Sequence, residues 1–471
     1  MMNRILPALA FIMLGFTAFS QCDENNEPKI LLIGDSWANL MMTYGTIDDV
    51  MEKWGHSNYE FVSSQVVSVN GAETDDFQEQ AKQEAIQTLI DDNPSVEVIH
   101  VSLGGNDVLG DWHVSFTQAQ TDSLRDEVTA RLLDVIEFLR STRPDIRILW
   151  SGYTYPNFEE VIEDFSIPTL HPFYGTWDGM GQPTFDVINQ ILNDFSADFA
   201  EYADTVDNVD FITATGLMQY HFGQETPLAV PPGGSYLPFT QPMPAGDYTY
   251  PSPMESMGQY GIAIDAFHLS PEGYRVFIDY HTQKFYHKLF MDDLYLLSTG
   301  NGKDGAVSDQ GDVSDELILG SDGSANFATV LTFNTTQMPD SGIEKASLFL
   351  RRETIDGTDP TQGELQIGLT SGALGATINV EADDYTATTD GSGTPCKFGS
   401  DGGEGHWIRI QLPNEVLSVI GNSDETQVRI IASGASGSVT FSNSNDVDYA
   451  PVLNLDYGIT PSGIEYSNKE V

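Results

Sequence analysis

The sequence has little cysteine and few basic residues. Its 471 residues include 2 cysteines, Cys22 and Cys396, which excludes a disulfide framework as the main source of stability. Whether the two pair is left open. Lysine and arginine number 20 against 70 aspartate and glutamate residues, a formal net charge of -50. Because such a chain repels phosphate backbones and anionic lipids, neither nucleic acid nor an anionic membrane is an expected partner.

Long hydrophobic runs are also missing, except at the beginning of the chain. Arg4 precedes an apolar run over residues 5–19, and the segment closes on an Ala-Phe-Ser pattern. This pattern predicts a signal peptide over residues 1–20 and a secreted or periplasmic protein without a transmembrane segment in its mature form. Lipid attachment at Cys22 is the weaker alternative, because Gln21 rather than a small residue precedes it.

The first half of the chain alternates predicted strands and helices. Strands are predicted at residues 29–34, 60–69, 96–103, 146–152 and 209–214, and helices at residues 75–92, 123–140 and 271–290. Alternation of this kind is typical of a parallel sheet covered by helices on both faces. Two stretches rich in glycine, proline and aromatic residues, 171–183 and 221–261, are predicted to be irregular. The second is far longer than an ordinary connection, which favours a lid over a substrate cleft.

The second half has a different character. Residues 298–311 are rich in Gly, Ser and Asp and are predicted to form a linker. Residues 312–458 contain short alternating segments separated by turns, a pattern typical of an antiparallel β-sandwich. In one of them Ile408 and Ile410 face one way and Trp407 faces the other. The chain is therefore predicted to contain two domains, at residues 28–297 and 312–458, and a tail at residues 459–471.

Several polar residues follow predicted strands, where ligands bind in open α/β sheets. Ser36 comes after Gly34 and Asp35 at the end of the opening strand. By itself this serine is better explained as a helix N-cap. Asp265 and His268, however, are three residues apart in a predicted turn before the last predicted helix. A carboxylate at that spacing can orient an imidazole, which can act as a base toward a serine.

These residues resemble the four blocks of the SGNH hydrolases, also called the GDSL esterases and lipases. The blocks are Gly34-Asp35-Ser36, Gly71, Gly105-Asn106-Asp107, and Asp265 with His268. The resemblance implies a flavodoxin-like, three-layer α/β/α domain in which Ser36, Asp265 and His268 are catalytic. It also implies an oxyanion hole formed by the backbone N–H groups of Ser36 and Gly71 and the Asn106 side chain. Ala72 is the alternative to Gly71, because the residues after this glycine depart from the family pattern.

The resemblance predicts a secreted hydrolase of carboxylic esters that acts through an acyl-enzyme with no cofactor and no metal. The favoured substrate is an acetyl or other short acyl ester on carbohydrate, including polysaccharide. The alternatives are a lipid ester or thioester hydrolase and a non-catalytic glycan-binding or adhesion protein. The second domain resembles β-sandwich modules of secreted hydrolases, which leaves a carbohydrate-binding role and a spacer role both open. The oligomeric state is not predicted.

Overall fold

The computed structural model describes residues 26–291, 294–336, 338–339, 342–399 and 402–457. The predicted signal peptide, Cys22 and the predicted tail lie outside these residues. Cys396 is disulfide-bonded. No helix within the described ranges combines the length and the apolar character needed to cross a membrane.

A five-stranded parallel sheet forms the centre of the first domain. Its strands are β1 Glu27–Gly34, β2 Tyr59–Val62, β3 Val98–Ser102, β4 Arg147–Ser151 and β5 Val209–Ile212. They lie in the order β2-β1-β3-β4-β5, which is the flavodoxin-like order. β1 pairs with β3 so that Gly34 lies beside Ser102, and both residues end their strands at the same edge.

Helices connect the strands and cover the sheet. They are α1 Ser36–Tyr44, α2 Thr46–Lys53, α3 Gln80–Asp92, α4 Gly105–Asp111, α5 Gln118–Thr142, α6 Phe158–Asp164, α7 Tyr174–Gly179, α8 Phe185–Ala203, α9 Leu217–Phe222, α10 Pro271–His281 and α11 His287–Leu289. In one group α2 contacts both α1 and α10, and in another α5 contacts both α3 and α8. The predicted α/β/α architecture is confirmed.

The second predicted strand is shorter than expected. β2 covers only Tyr59–Val62, and the chain then leaves the sheet before Ser68 returns to form an isolated bridge with Gly34. The hydroxyl of Ser63 donates to the Leu32 carbonyl at 2.7 Å, and that of Ser68 donates to the same oxygen at 3.2 Å. The serine side chains thus replace backbone pairing, which the apolar pattern could not indicate.

The two stretches predicted to be irregular contain regular elements. The first includes α7. The second includes a hairpin of β6 Gln224–Leu228 with β7 Gly234–Tyr236, and then β8 Met257–Tyr260, which pairs with β9 Ala263–Leu269. These elements are too short to produce a recognisable periodicity. The lid function of residues 221–261 stays a prediction.

The second domain is an antiparallel β-sandwich of thirteen strands, as predicted. Its elements are β10 Leu294–Leu297, β11 Gly305–Ser308, β12 Val313–Ser314, β13 Leu317–Ser321, β14 Asn326–Asn334, β15 Lys345–Asp356, β16 Glu364–Ser371, β17 Gly391–Gly393, β18 Cys396–Phe398, β19 Trp407–Gln411, β20 Glu425–Ser433, β21 Ser438–Phe441 and β22 Val452–Asp456, with the short helix α12 Asn414–Leu417.

The prediction that residues 298–311 form a linker is wrong. β10, which precedes it, pairs with β22, and β11 lies inside it and pairs with β12 and β14. The sandwich therefore begins at Leu294. A strand of four residues flanked by glycine and aspartate has too few alternating positions to be recognised in the sequence.

The two domains share a buried aromatic interface. Trp407 of β19 is 1% exposed, and its ring stacks on that of Trp54, with the centroids 5.5 Å apart. The guanidinium of Arg409, two residues on, donates to the Asn58 side chain at 2.7 Å. Both faces of β19 are therefore buried: one inside the sandwich and the other against the first domain.

Candidate active site

The turn after β1 requires glycine at its first position. Gly34 has a φ of +147°, and a Cβ atom there would lie 1.8 Å from the carbonyl oxygen of Ser102. Any side chain would therefore push β1 away from β3. The close approach lets the N–H of Asp35 donate to the Ser102 carbonyl at 2.9 Å, which fixes the turn at the carboxyl edge of the sheet.

Asp35, rather than Ser36, caps the helix that follows. Its Oδ1 atom accepts the N–H of Trp37 at 2.9 Å, and Ser36 is the first residue of α1. The local explanation of Ser36 as an N-cap is therefore wrong. Because the cap is supplied by the preceding carboxylate, the serine hydroxyl is not needed for this purpose.

The hydroxyl of Ser36 instead lies against an imidazole from the other end of the domain. Its Oγ atom is 2.7 Å from Nε2 of His268, and Nδ1 of the same ring is 3.0 Å from Oδ2 of Asp265. The side chains of Asp265 and His268 are 6% and 18% exposed. The three residues predicted to be catalytic thus form one continuous hydrogen-bonded chain. Asp265 and His268 lie in β9, not in the turn expected from the sequence.

Asn106 lies in the first turn of α4, just beyond the end of β3. Its side-chain amide donates one hydrogen bond to the carbonyl oxygen of Ala72 at 2.9 Å. A primary amide carries two N–H bonds, and within the described residues the second has no acceptor. The contact holds the amide beside the loop that contains Gly71.

The backbone N–H groups of the Gly71 loop distinguish the two candidate oxyanion donors, Gly71 and Ala72. The N–H of Ala72 donates to the Val69 carbonyl at 3.1 Å. By contrast, the backbone N–H groups of Gly71 and Ser36 have no hydrogen-bond acceptor among the described residues. Gly71 has a φ of +77°, a conformation that favours glycine. The geometry therefore favours Gly71 over Ala72 as a donor to a bound ligand.

Asp107 holds the other end of the same loop. Its carboxylate accepts hydrogen bonds from Thr74, from the backbone N–H at 3.1 Å and from the hydroxyl at 2.5 Å. It also lies 3.2 Å from Nη1 of Arg131. Burial raises the pKa of Asp107, while the hydrogen bonds from Thr74 and the charge of Arg131 oppose that shift. Asn106 and Asp107 thus anchor the Gly71 loop at two points.

An aromatic side chain that the sequence analysis did not single out lies beside the histidine. The centroid of the Phe173 ring is 6.1 Å from that of His268 and 5.7 Å from that of Tyr260. His171 fixes this segment, since its Nδ1 atom accepts the Phe173 N–H at 3.2 Å and its Nε2 atom lies 3.0 Å from the Ile264 carbonyl. The high aromatic content of residues 171–183 was the only signal in the sequence.

A hydroxyl, an imidazole base, an orienting carboxylate and nearby unpaired N–H groups are the parts needed for acyl transfer. The profile of the GDSL-like lipase/acylhydrolase family matches residues 32–276, more than half of the chain. The chain belongs to this family. As a GDSL-family acylhydrolase it is a carboxylic ester hydrolase, and the family and reaction class predicted from the sequence are confirmed. No curated protein has a matching sequence.

Solved structures with a similar fold include other hydrolases of this type. A GDSL-like lipase from Bacteroides thetaiotaomicron is 12% identical, with a TM-score of 0.31 over 56% of this chain and 89% of its own. A family 3 carbohydrate esterase from Clostridium thermocellum is 15% identical, with a TM-score of 0.30 over 56% of this chain and 98% of its own.

Proposed function

We propose that this hydrolase is an exported serine esterase that removes acetyl or other short acyl groups from carbohydrate through an acyl-enzyme on Ser36. The observation that carries the catalytic part is the 2.7 Å separation between Oγ of Ser36 and Nε2 of His268. A serine hydroxyl is a weak nucleophile at neutral pH and requires a base at hydrogen-bonding distance.

In the first half of the reaction, Nε2 of His268 takes the hydroxyl proton as Oγ of Ser36 attacks the ester carbonyl carbon. The imidazolium that forms is stabilised by the carboxylate of Asp265, which lies 3.0 Å from Nδ1. His268 then gives the proton to the leaving alcohol oxygen as the C–O bond breaks. In the second half, the same imidazole activates a water molecule that hydrolyses the acyl-enzyme and restores Ser36.

The negative charge that develops on the carbonyl oxygen needs preorganised donors. In the proposal these are the backbone N–H groups of Ser36 and Gly71 and the free N–H of the Asn106 amide. Ser36 is the first residue of α1, so the positive end of the helix also favours the developing charge. The Asn106 contact with Ala72 and the Asp107 contacts with Thr74 support the assignment, because they fix these donors before substrate binds.

The substrate class follows from features outside the catalytic residues. A predicted signal peptide and an appended sandwich support a substrate outside the cytoplasm. A net charge of -50 disfavours polyanionic substrates, because the protein repels them. Neutral acylated carbohydrate satisfies both conditions.

A lipid ester is the second candidate, and one specific observation favours it. Exposed apolar side chains occur before Phe173, at Ile167 and Leu170, and before β9, at Tyr260 and Ile262, the latter 91% exposed. The Phe173 ring itself lies beside those of Tyr260 and His268. Exposed apolar patches commonly mark sites of contact with apolar ligands. Substrate chain length therefore distinguishes the two candidates.

The test compares p-nitrophenyl esters of increasing acyl length and an acetylated polysaccharide on the mature protein. Ser36→Ala is expected to lower kcat by at least about 10³-fold. Ser141→Ala, which changes an exposed serine near the end of α5, is the matched control and should leave kcat unchanged. Turnover highest for acetate and butyrate supports the carbohydrate-ester proposal, and turnover that increases with chain length supports a lipid ester. Equal turnover by wild type and Ser36→Ala would contradict the serine mechanism.

The role of the sandwich is proposed to be structural. Its only tryptophan, Trp407, stacks on Trp54 of the first domain and is therefore not available as an exposed platform for a sugar ring. Retention of the full-length Ser36→Ala protein on insoluble polysaccharides tests this role. No retention on any of them is expected, and saturable retention would instead support a carbohydrate-binding module.

A further inference from the structure

Tyr153 lies just beyond the carboxyl end of β4 and is buried among the three segments that carry the proposed catalytic groups. Its hydroxyl lies 2.5 Å from Oδ2 of Asp35 and 3.0 Å from the backbone nitrogen of Gly105. A phenol has one proton to donate, and the Gly105 N–H can only donate. The Gly105 N–H therefore donates to the Tyr153 oxygen, and the Tyr153 O–H donates to the Asp35 carboxylate.

The ring of Tyr153 packs against the same three segments. Its centroid is 5.1 Å from the Trp37 ring and 5.6 Å from the Phe267 ring. A Cβ atom on Gly105 would lie 2.9 Å from its Cζ atom, so a side chain at that position would displace the phenol. The tyrosine thus contacts a chain neighbour of three of the proposed catalytic groups: Trp37 follows Ser36, Gly105 precedes Asn106, and Phe267 precedes His268.

We propose that Tyr153 is a positioning residue that joins the nucleophile turn, the Asn106 segment and the His268 strand into one unit. This role rests on the serine mechanism proposed above, because it acts through Ser36, Asn106 and His268. Tyr153 does not contact the reacting atoms itself.

The electrostatics of Asp35 give the role a measurable signature. Burial raises the pKa of Asp35 to about 6, and the hydrogen bonds from the Tyr153 hydroxyl and the Trp37 N–H oppose the shift. The other titratable groups whose charges act on this carboxylate are His268 and Asp107. The negative charge of Asp35 in turn acts on the Tyr274 hydroxyl. When it is ionised, the Asp35 carboxylate stabilises the positive charge that develops on the His268 ring during the reaction. Loss of the Tyr153 hydroxyl removes a hydrogen bond that stabilises the ionised carboxylate, so the pKa of Asp35 rises further.

Tyr153→Phe tests the proposal because it removes the hydroxyl and keeps the ring. We expect kcat on p-nitrophenyl acetate to fall about tenfold or more while KM changes less than about twofold, as for an interaction that matters mainly in the transition state. The part of the acidic limb of the kcat/KM profile that follows the ionisation of Asp35 should also move to higher pH. The matched control is Tyr155→Phe, which removes a buried hydroxyl that donates to the Ala245 carbonyl at 2.5 Å; its kinetic parameters and pH profile should equal those of wild type.

A double-mutant cycle with Asp35→Asn supplies a second measurement. Asparagine keeps an oxygen acceptor for the Trp37 N–H and removes the charge. If the two side chains act as a unit, the double variant loses no more activity than the more impaired single variant. Circular dichroism melting of each variant shows that the comparison is made on folded protein.

The outcomes separate this role from the serine mechanism. If Ser36→Ala is inactive but Tyr153→Phe has the kcat, KM and pH profile of wild type, the positioning role is overturned and the serine mechanism stands. Fully additive losses in the cycle would also overturn it. Equal activity of wild type and Ser36→Ala would overturn the serine mechanism itself.

Discussion

Asp265 holds His268 at two places. Its Oδ1 atom accepts the backbone N–H of His268 at 2.8 Å, and its Oδ2 atom lies 3.0 Å from Nδ1 of the ring. Since a carboxylate can only accept, Nδ1 carries the proton and the lone pair of Nε2 faces Ser36. A single carboxylate thus sets both the backbone position and the tautomer of the base.

Asp265→Asn should therefore inactivate the enzyme without unfolding it. The asparagine amide can present its own N–H to Nδ1, which favours the tautomer protonated at Nε2 that cannot accept the serine proton. We expect kcat to fall by a factor on the order of 10³ to 10⁴, as when the orienting aspartate of a serine triad is changed in this way. Steady-state kinetics at pH 7.5 measure the effect. Asp145→Asn, at a side chain that is 83% exposed, is the control, and comparable activity of the two variants would contradict the orienting role.

Asn106→Ala tests the proposed oxyanion donor. Loss of one such donor typically lowers kcat by about 10² to 10³-fold with a small effect on KM. The same substitution removes the hydrogen bond to Ala72, so the melting temperature is measured alongside. Asn422→Ala, which removes an exposed amide that donates to the Ser418 carbonyl, should leave kcat unchanged. An Asn106→Ala enzyme that loses stability and keeps its kcat would make Asn106 a structural residue only.

Two buried histidines at the domain interface predict a loss of stability in acid. Nε2 of His56 is 3.1 Å from Nδ1 of His287, and burial lowers the pKa of both, that of His287 to about 3. The nearby cations Arg409 and Lys288 also disfavour their protonation. In the unfolded chain these rings bind protons below pH ~6.5. The free energy of unfolding should therefore fall as the pH decreases from about 6.5 towards 4, by up to ~1.4 kcal/mol per pH unit for each histidine.

His287→Phe isolates this contribution. The ring centroid of His287 lies 4.8 Å from those of both Trp54 and Trp407, so an aromatic replacement keeps much of the packing. We expect a lower free energy of unfolding at pH 7.5, because Nε2 of His56 loses its partner, but a shallower decrease on acidification. Urea unfolding between pH 4.5 and 7.5 gives both quantities. The raised pKa of Asp35 stabilises the folded state on acidification, which is the opposite effect, but it does so equally in wild type and in His287→Phe. The same pH dependence of the free energy of unfolding in both proteins would therefore contradict the role assigned to His287.

Trp407→Ala tests whether the sandwich stabilises the catalytic domain. Truncation of a buried tryptophan costs about 3 to 5 kcal/mol, and here the ring packs on Trp54 across the interface. We expect a lower melting temperature of the catalytic domain, followed by loss of esterase activity on heating. Val447→Ala, at a side chain that is 72% exposed, should melt as wild type does. If Trp407→Ala loses esterase activity at the same temperature as wild type, the two domains are thermally independent.

The sequence indicated the ends of β1 and β3 well, because their buried apolar runs stop next to glycine in the turns that position the site, but it did not indicate that β2 ends at Val62. It did not indicate which residue caps α1. Aspartate and serine are both favoured N-caps, and only the placement of Oδ1 of Asp35 against the Trp37 N–H separates them. Tyr153 could not be recognised for a similar reason. Its role depends on Asp35 and Gly105, which are distant in sequence and meet only in the folded domain.

In the second half of the chain, the alternation of apolar and polar residues predicted the strands but not what packs against them. Trp407 of β19 was expected on the face opposite Ile408 and Ile410, but the sequence did not indicate that the first domain covers this face. The segment at Gly305–Ser308 was predicted to be linker, since short strands between glycine and aspartate carry no periodic signal. Both errors concern long-range pairing, which local sequence patterns do not encode.

Covalent labelling of Ser36 tests the acyl-enzyme mechanism most directly. The mature protein is treated with a fluorophosphonate, which reacts with activated serines, and the modified peptide is located by mass spectrometry. We predict a single adduct in the peptide that contains Ser36, formed equally in Ser141→Ala and absent from Ser36→Ala, together with loss of esterase activity in step with labelling. An adduct at another residue, or full labelling with undiminished esterase activity, would contradict the mechanism.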